Sequence, residues 1–178
     1  MKTTLRAIAL GGLLLVFGGA LAQDDKPLQP GKMSEAALLA KARQLTQEEF
    51  ELSKVAVRKA GAEKVKAFAQ RAAERGEQLD KKLTDLAAAA GVTEPQKISQ
   101  PMQQRLNVIE KLEGEAFDPD YLKMLLDFHR EHILIYEQLA KRADDAKLRD
   151  FAREALASER AHLKTVETLA APMIPGVK

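Results

Sequence analysis

Four long stretches of this chain repeat their apolar positions with the 3.6-residue period of a helix, and no stretch alternates at period two for long. The first runs from about Ser34 to Ala60, with Gly61 read as its C-terminal cap, and the second from about Glu63 to Ala90, stopping at Gly91. The third opens at "FDPDYL", where Asp118 is expected as N-cap and Pro119 at the first helical position, and it ends near Arg142. The fourth runs from about Asp145 to Ala170, where Pro172 and Pro175 stop it. The stripes suit coiled-coil-type packing, and with no strand pattern a β-barrel is not expected.

The connections between these helices are uneven. A single glycine joins the first two, and "ADDA" joins the last two, so each pair is expected as an antiparallel hairpin. Between the pairs lie residues 91–117, with a short helix expected at "PMQQRLNVIEKLEG". A helix of ~28 residues is ~42 Å long, and this linker has the length to travel beside it. The expected fold is all-α: a ferritin-like four-helix bundle over residues 34–171, made of two antiparallel hairpins joined by a long crossover containing a short helix. A tail over 172–178 follows.

Wheels drawn at ~100° per residue give each helix an inward stripe. The first buries Leu38, Ala42, Leu45, Leu52 and Ala56, with Glu49 at its centre and Glu48 near its edge. The second buries Val65, Ala69, Ala72, Leu79, Leu83 and Leu86, with Gly76 on the seam. The third buries Leu122, Leu125, Leu126, Ile133, Tyr136 and Ala140 around His129, and His132 flanks that stripe as a boundary residue. The fourth buries Leu148, Phe151, Ala155, Val166 and Leu169, together with Glu159 and His162.

Glu49, His129, Glu159 and His162 therefore all face inward, and their distances from the hairpin turns place them near one height. Imidazole and carboxylate suit Zn, Fe or Mn, and bundle cores house such sites on facing helices. These four are the candidate metal ligands. The same four can equally satisfy one another as a structural polar layer, with the Tyr136 hydroxyl bonded into it. A di-metal centre wants a second Glu-x-x-His pair, and the second helix offers only Gly76 there, with Glu74, Glu77 and Asp80 nearby. A ferroxidase-like activity is thus the remotest of three readings, and no catalytic residue is assigned.

Composition adds compartment. The opening "MKTTLRAIALGGLLLVFGGALAQ" has Lys2 and Arg6 before an uncharged run, Ala7 to Ala22, that ends in Ala-Leu-Ala. That run has 16 residues and four glycines, short of the ~20 apolar residues of a membrane span. Residues 1–22 are expected to be a signal peptide cut between Ala22 and Gln23, leaving a flexible lead-in over 23–33 and no membrane span. An uncleaved N-terminal anchor is the alternative. Cleavage removes two of the 28 basic residues and none of the 26 acidic ones, so the remainder is neutral by count. Neither a basic stripe nor an aromatic set supports nucleic-acid binding. With no cysteine there is no disulfide, thiolate site or active-site thiol, and a periplasmic location fits.

The stretches "EEFELSKVAVRKAGAEKVKAFAQ", "LEGEAFDPDYL", "HREHILIYEQLAK" and "LRDFAREALASERAHLKTVETL" resemble a bacterial family of secreted, ferritin-like bundles known as domain of unknown function 4142. The most specific piece is the turn Gly114-x-x-Phe117-Asp118. The resemblance implies the fold and export but no established reaction. It implies histidines matched here by His129 and His162. The family's second-helix histidine is replaced by Gly76, and the proline common five positions before His162 is replaced by Ala157. An "outer membrane" label carried by some members finds no support in the residues. The function expected is a non-enzymatic envelope or stress-related binding role, with transition-metal binding as the specific alternative. The sequence leaves the protein partner unknown.

Overall fold

The computed structural model describes residues 29–92 and 98–177. The expected signal peptide, its cut site and most of the lead-in lie outside the described residues. Five α-helices follow a 3₁₀ turn at Pro30–Lys32: α1 (Glu35–Lys59), α2 (Glu63–Ala89), α3 (Gln100–Ile109), α4 (Asp118–Arg142) and α5 (Ala146–Ala170). Among the described residues there is no strand, and the single ladder contact is an isolated bridge between Ala60 and Gly114.

Side-chain caps start three of these helices. Ser34 accepts from the Ala37 amide, Ser99 from that of Met102, and Asp145 from that of Leu148. α1 packs along α2 and α4 along α5, as the short connections require, and α1 also packs on α4. The opposite seam, α2 against α5, is barely in contact.

The crossover runs from one end of the bundle to the other. Leaving the foot of α2, it is tied to the middle of α1 where the Ser99 amide donates to Glu48 Oε1 at 2.9 Å. It reaches the head of α1 where the Gly114 amide donates to the Lys59 carbonyl at 2.9 Å. α4 then descends antiparallel to α1, and at its foot the Arg142 guanidinium donates to the carbonyls of Pro30, Gly31 and Met33.

Two turn residues act differently from their sequence reading. Gly61 is not a left-handed cap, because Ala60 ends α1 in extended backbone. Gly61 is needed for close approach: a Cβ there would meet the Gly114 carbonyl carbon at 2.5 Å. Asp118 does not cap its own helix. Its carboxylate accepts from the Gly61 and Ala62 amides at 3.0 and 2.8 Å, and so caps the start of α2 from across the bundle. The Gly-x-x-Phe-Asp turn is therefore a clasp: Gly114 has φ +60°, Phe117 is fully buried, and Asp118 holds the α1–α2 turn.

α4 buries most of the face the wheel gives, with Leu122, Leu125, Leu126, His129 and Tyr136 in the core, and a wider arc besides. Ile135 and Leu139 are core residues, while Ile133 and Ala140 are half-buried. The wheel follows a single apolar stripe. In the structure α4 packs on α1 as well as on α5, and the crossover lies beside it where Arg105 pairs with Asp127, so the buried arc widens.

Candidate metal centre

Near the middle of α1, α4 and α5 the hydrophobic core is interrupted by Glu49, His129, His132 and Glu159, all buried. Each offers a ligand-type atom, and these atoms lie within 4.8 Å of one another. Three of the four sequence candidates are thus brought together. The fourth member of the cluster is His132, which the sequence reading left at the boundary and which is 0% exposed.

His129 Nδ1 lies 2.7 Å from Glu159 Oε2. A carboxylate only accepts, so the proton of this bond sits on Nδ1. The ring's other nitrogen, Nε2, faces Glu49 Oε1 at 4.0 Å and has no hydrogen-bond partner. His132 presents Nδ1 to Glu49 Oε2 at 3.6 Å and to Glu159 Oε2 at 3.8 Å, again without a hydrogen bond. Its Nε2 lies 3.5 Å from Thr46 Oγ1, and its ring stacks on Tyr136 with centroids 5.8 Å apart. The Tyr136 hydroxyl, expected within the polar layer, is buried beside it with Thr46 as its side-chain neighbour. Two carboxylates and two unpartnered imidazole nitrogens therefore converge on one small volume.

The electrostatics follow from burial and proximity. Burial alone would raise the Glu159 carboxyl, but His132 and His129 beside it hold it down at about 2. Burial opposes charge on His129, yet Glu49 and Glu159 outweigh it and raise its pKa above the ordinary value.

His162 is placed elsewhere. It lies one turn beyond Glu159, half-buried, with Nδ1 against the Arg75 guanidinium and 3.4 Å from Ser158 Oγ. Its ring is 5.8 Å from that of His129, but it is not one of the four converging groups. Burial first, and then Arg75, push its pKa down to about 4. Arg75 also donates from Nη2 to Glu49 Oε1 at 2.8 Å. Sequence reasoning gave Arg75 no role. Gly76 beside it contributes no donor, and a Cβ there would press on Phe50 at 3.1 Å, so the glycine serves the α1–α2 packing.

With this geometry in hand, comparison places the chain among known folds. Three solved helical structures share it. A DUF305 protein from Streptomyces coelicolor, described as secreted, is 14% identical with a TM-score of 0.67, covering 78% of this chain and 91% of its own. CopM in its Cu(I)-bound form is 12% identical with a TM-score of 0.68, covering 80% and 99%. Its Cu(II)-bound form is 13% identical with a TM-score of 0.62, covering 77% and 95%. The chain itself belongs to the family described as domain of unknown function DUF4142, whose model matches residues 20–169. No curated protein matches the sequence.

Proposed function

We propose that this protein is an exported helical bundle that binds one divalent transition-metal ion between Glu49, His129, His132 and Glu159. The observation that carries this reading is the convergence of two buried carboxylates with two buried imidazole nitrogens that have no other partner. Buried polar atoms are normally hydrogen-bonded, and a cation at this point gives both nitrogens and both carboxylates a partner at once. Glu159 then serves twice, as a candidate ligand and as the group that orients His129, the arrangement common around histidine-ligated metals.

Two nitrogens and two carboxylates suit Cu(II), Zn, Fe or Mn, and at an unstrained site of this kind Cu(II) binds tightest. The cluster contains no sulfur donor, which argues against a preference for Cu(I). The copper-bound CopM structures support the choice of copper as first metal to try. Export is supported by the opening residues 1–22 and by a structural neighbour described as secreted, and no described helix is long and apolar enough to cross a membrane. A non-enzymatic role fits, because an arginine, Arg75, stands beside Glu49 where a di-metal enzyme would need a further ligand.

The 2.7 Å bond between His129 and Glu159 favours a second reading, a structural polar layer that needs no metal. Elemental analysis of untagged protein, loaded with Cu(II) or Zn(II) and then dialysed, separates the two. A stoichiometric ion that survives dialysis supports the metal centre. A metal-free protein leaves the polar layer.

A further inference from the structure

We propose that the cleft between α2 and α5 is the entrance to this metal centre and that Arg75 is its gate, an internal cation which an incoming ion displaces from Glu49. The inference rests on the metal reading above and adds the route and the competitor.

Three of the seams around the cluster are closed by helix packing: α1 with α2, α4 with α5, and α1 with α4. The fourth, α2 with α5, holds a cleft of about 190 Å³. Arg75, Gln78 and Lys82 line one wall, Phe151 and Ser158 the other, and Glu159 forms part of the lining although it is only 2% exposed. A hydrated ion in this cleft thus meets a ligand carboxylate without any helix having to separate.

Arg75 stands between the cleft and the rest of the cluster. Its Nη2 holds Glu49 at 2.8 Å and its Nη1 lies against His162, while its side chain remains 23% exposed. The inward pose is incomplete, since Nε is buried without an acceptor, and an unmet buried donor favours release. A dication between the two carboxylates cancels the charge that holds Arg75 in place and repels the guanidinium at short range. The side chain then has the cleft to swing into.

The test is stopped-flow mixing of Cu(II), delivered from a weak chelator at low ionic strength, with wild type, Arg75→Met and Gln78→Arg. The chain has two tyrosines and no tryptophan, and Tyr136 stacks on His132, so quenching of tyrosine emission reports arrival. Removing the internal cation is expected to raise the association rate roughly tenfold or more, the size of effect that charge at a cleft has on ion entry. A second guanidinium at the mouth is expected to slow it several-fold. A wild-type rate in Arg75→Met overturns the gate, and a wild-type rate in Gln78→Arg overturns the entrance. Should Arg75→Met fail to fold in chelator, Arg75→Gln, which keeps a hydrogen-bond donor toward Glu49 without the charge, takes its place, and a wild-type rate there overturns the gate. If wild type takes up no Cu(II), the metal reading falls and the gate with it, an outcome distinct from unchanged rates in a protein that binds.

Discussion

His129 and Glu159 face each other across the α4–α5 hairpin, Nδ1 to Oε2 at 2.7 Å, both fully enclosed by protein. This pair does two jobs. It neutralises a carboxylate that burial would otherwise penalise, and it turns the free nitrogen of the ring toward Glu49 and the unpartnered nitrogen of His132.

Breaking the pair from one side leaves a buried charge without its partner. His129→Ala is expected to destabilise the metal-free protein by about 3–5 kcal/mol, the cost typical of orphaning one member of a buried ion pair. Glu159→Gln keeps the shape and removes the charge, and should cost clearly less. Denaturant unfolding in the presence of chelator measures both, and equal losses would contradict the charge argument.

Metal should stabilise the fold by mass action. At a free ion concentration about a hundred times the dissociation constant, the gain is about 2.7 kcal/mol. Wild type should show this as a raised unfolding midpoint with Cu(II), reversed by chelator. Glu49→Gln, which removes a ligand charge at the centre of α1, should lose most of it.

Acid should weaken the metal-free protein in a defined window. His162 is held at about 4, against an ordinary value of 6.5, by burial and by Arg75. Between those values the unfolded chain binds a proton that the folded chain refuses, so stability falls as pH drops from 6.5 toward 4. His162→Gln should flatten that limb. Glu159, held near 2, adds a loss only as pH falls below its ordinary 4.5. His129 has the opposite sign: its raised pKa gives a contribution that is full below 6.5 and fades as pH rises through the folded value. Unfolding midpoints across pH in chelator check this, and parallel acid limbs for wild type and His162→Gln would contradict it.

The clasp at the head of the bundle should be sensitive to single atoms. Asp118→Ala removes two hydrogen bonds from a carboxylate to backbone amides, a loss of about 1.5–3 kcal/mol for a bond to a charged group. Gly61→Ala forces a Cβ to within 2.5–2.7 Å of backbone at Gly114 and Glu115, with a cost of about 1–3 kcal/mol for overpacking. Thermal unfolding of the two variants tests whether this turn locks the crossover to the hairpin.

The helices were legible in the sequence because their apolar period is long and is punctuated by Gly91, Pro119 and Pro172. Contrasting loop lengths also made the crossover readable. Three candidate ligands were legible for the same reason, since Glu49 and His129 sit at stripe centres and Glu159 lies inside its stripe. His132 was not, because a wheel measures one apolar stripe, whereas α4 packs on both α5 and α1. The available signal was the i, i+3 spacing of His129 and His132, which puts both rings on one helix face. Arg75 was illegible in principle: an arginine at a stripe edge usually points to solvent, and its inward turn depends on the gap between α2 and α5. Gly61 and Asp118 carried the right residue types for caps, but their partners are separated by more than fifty residues, beyond any local rule.

The central claim is that His132, and not His162, completes the metal centre. It is tested most directly by the metal content of His132→Ala and His162→Ala, each loaded with Cu(II), dialysed and checked for helicity. His162→Ala is expected to keep a stoichiometric ion while His132→Ala loses it. Copper retained by His132→Ala, or lost from a folded His162→Ala, would contradict it.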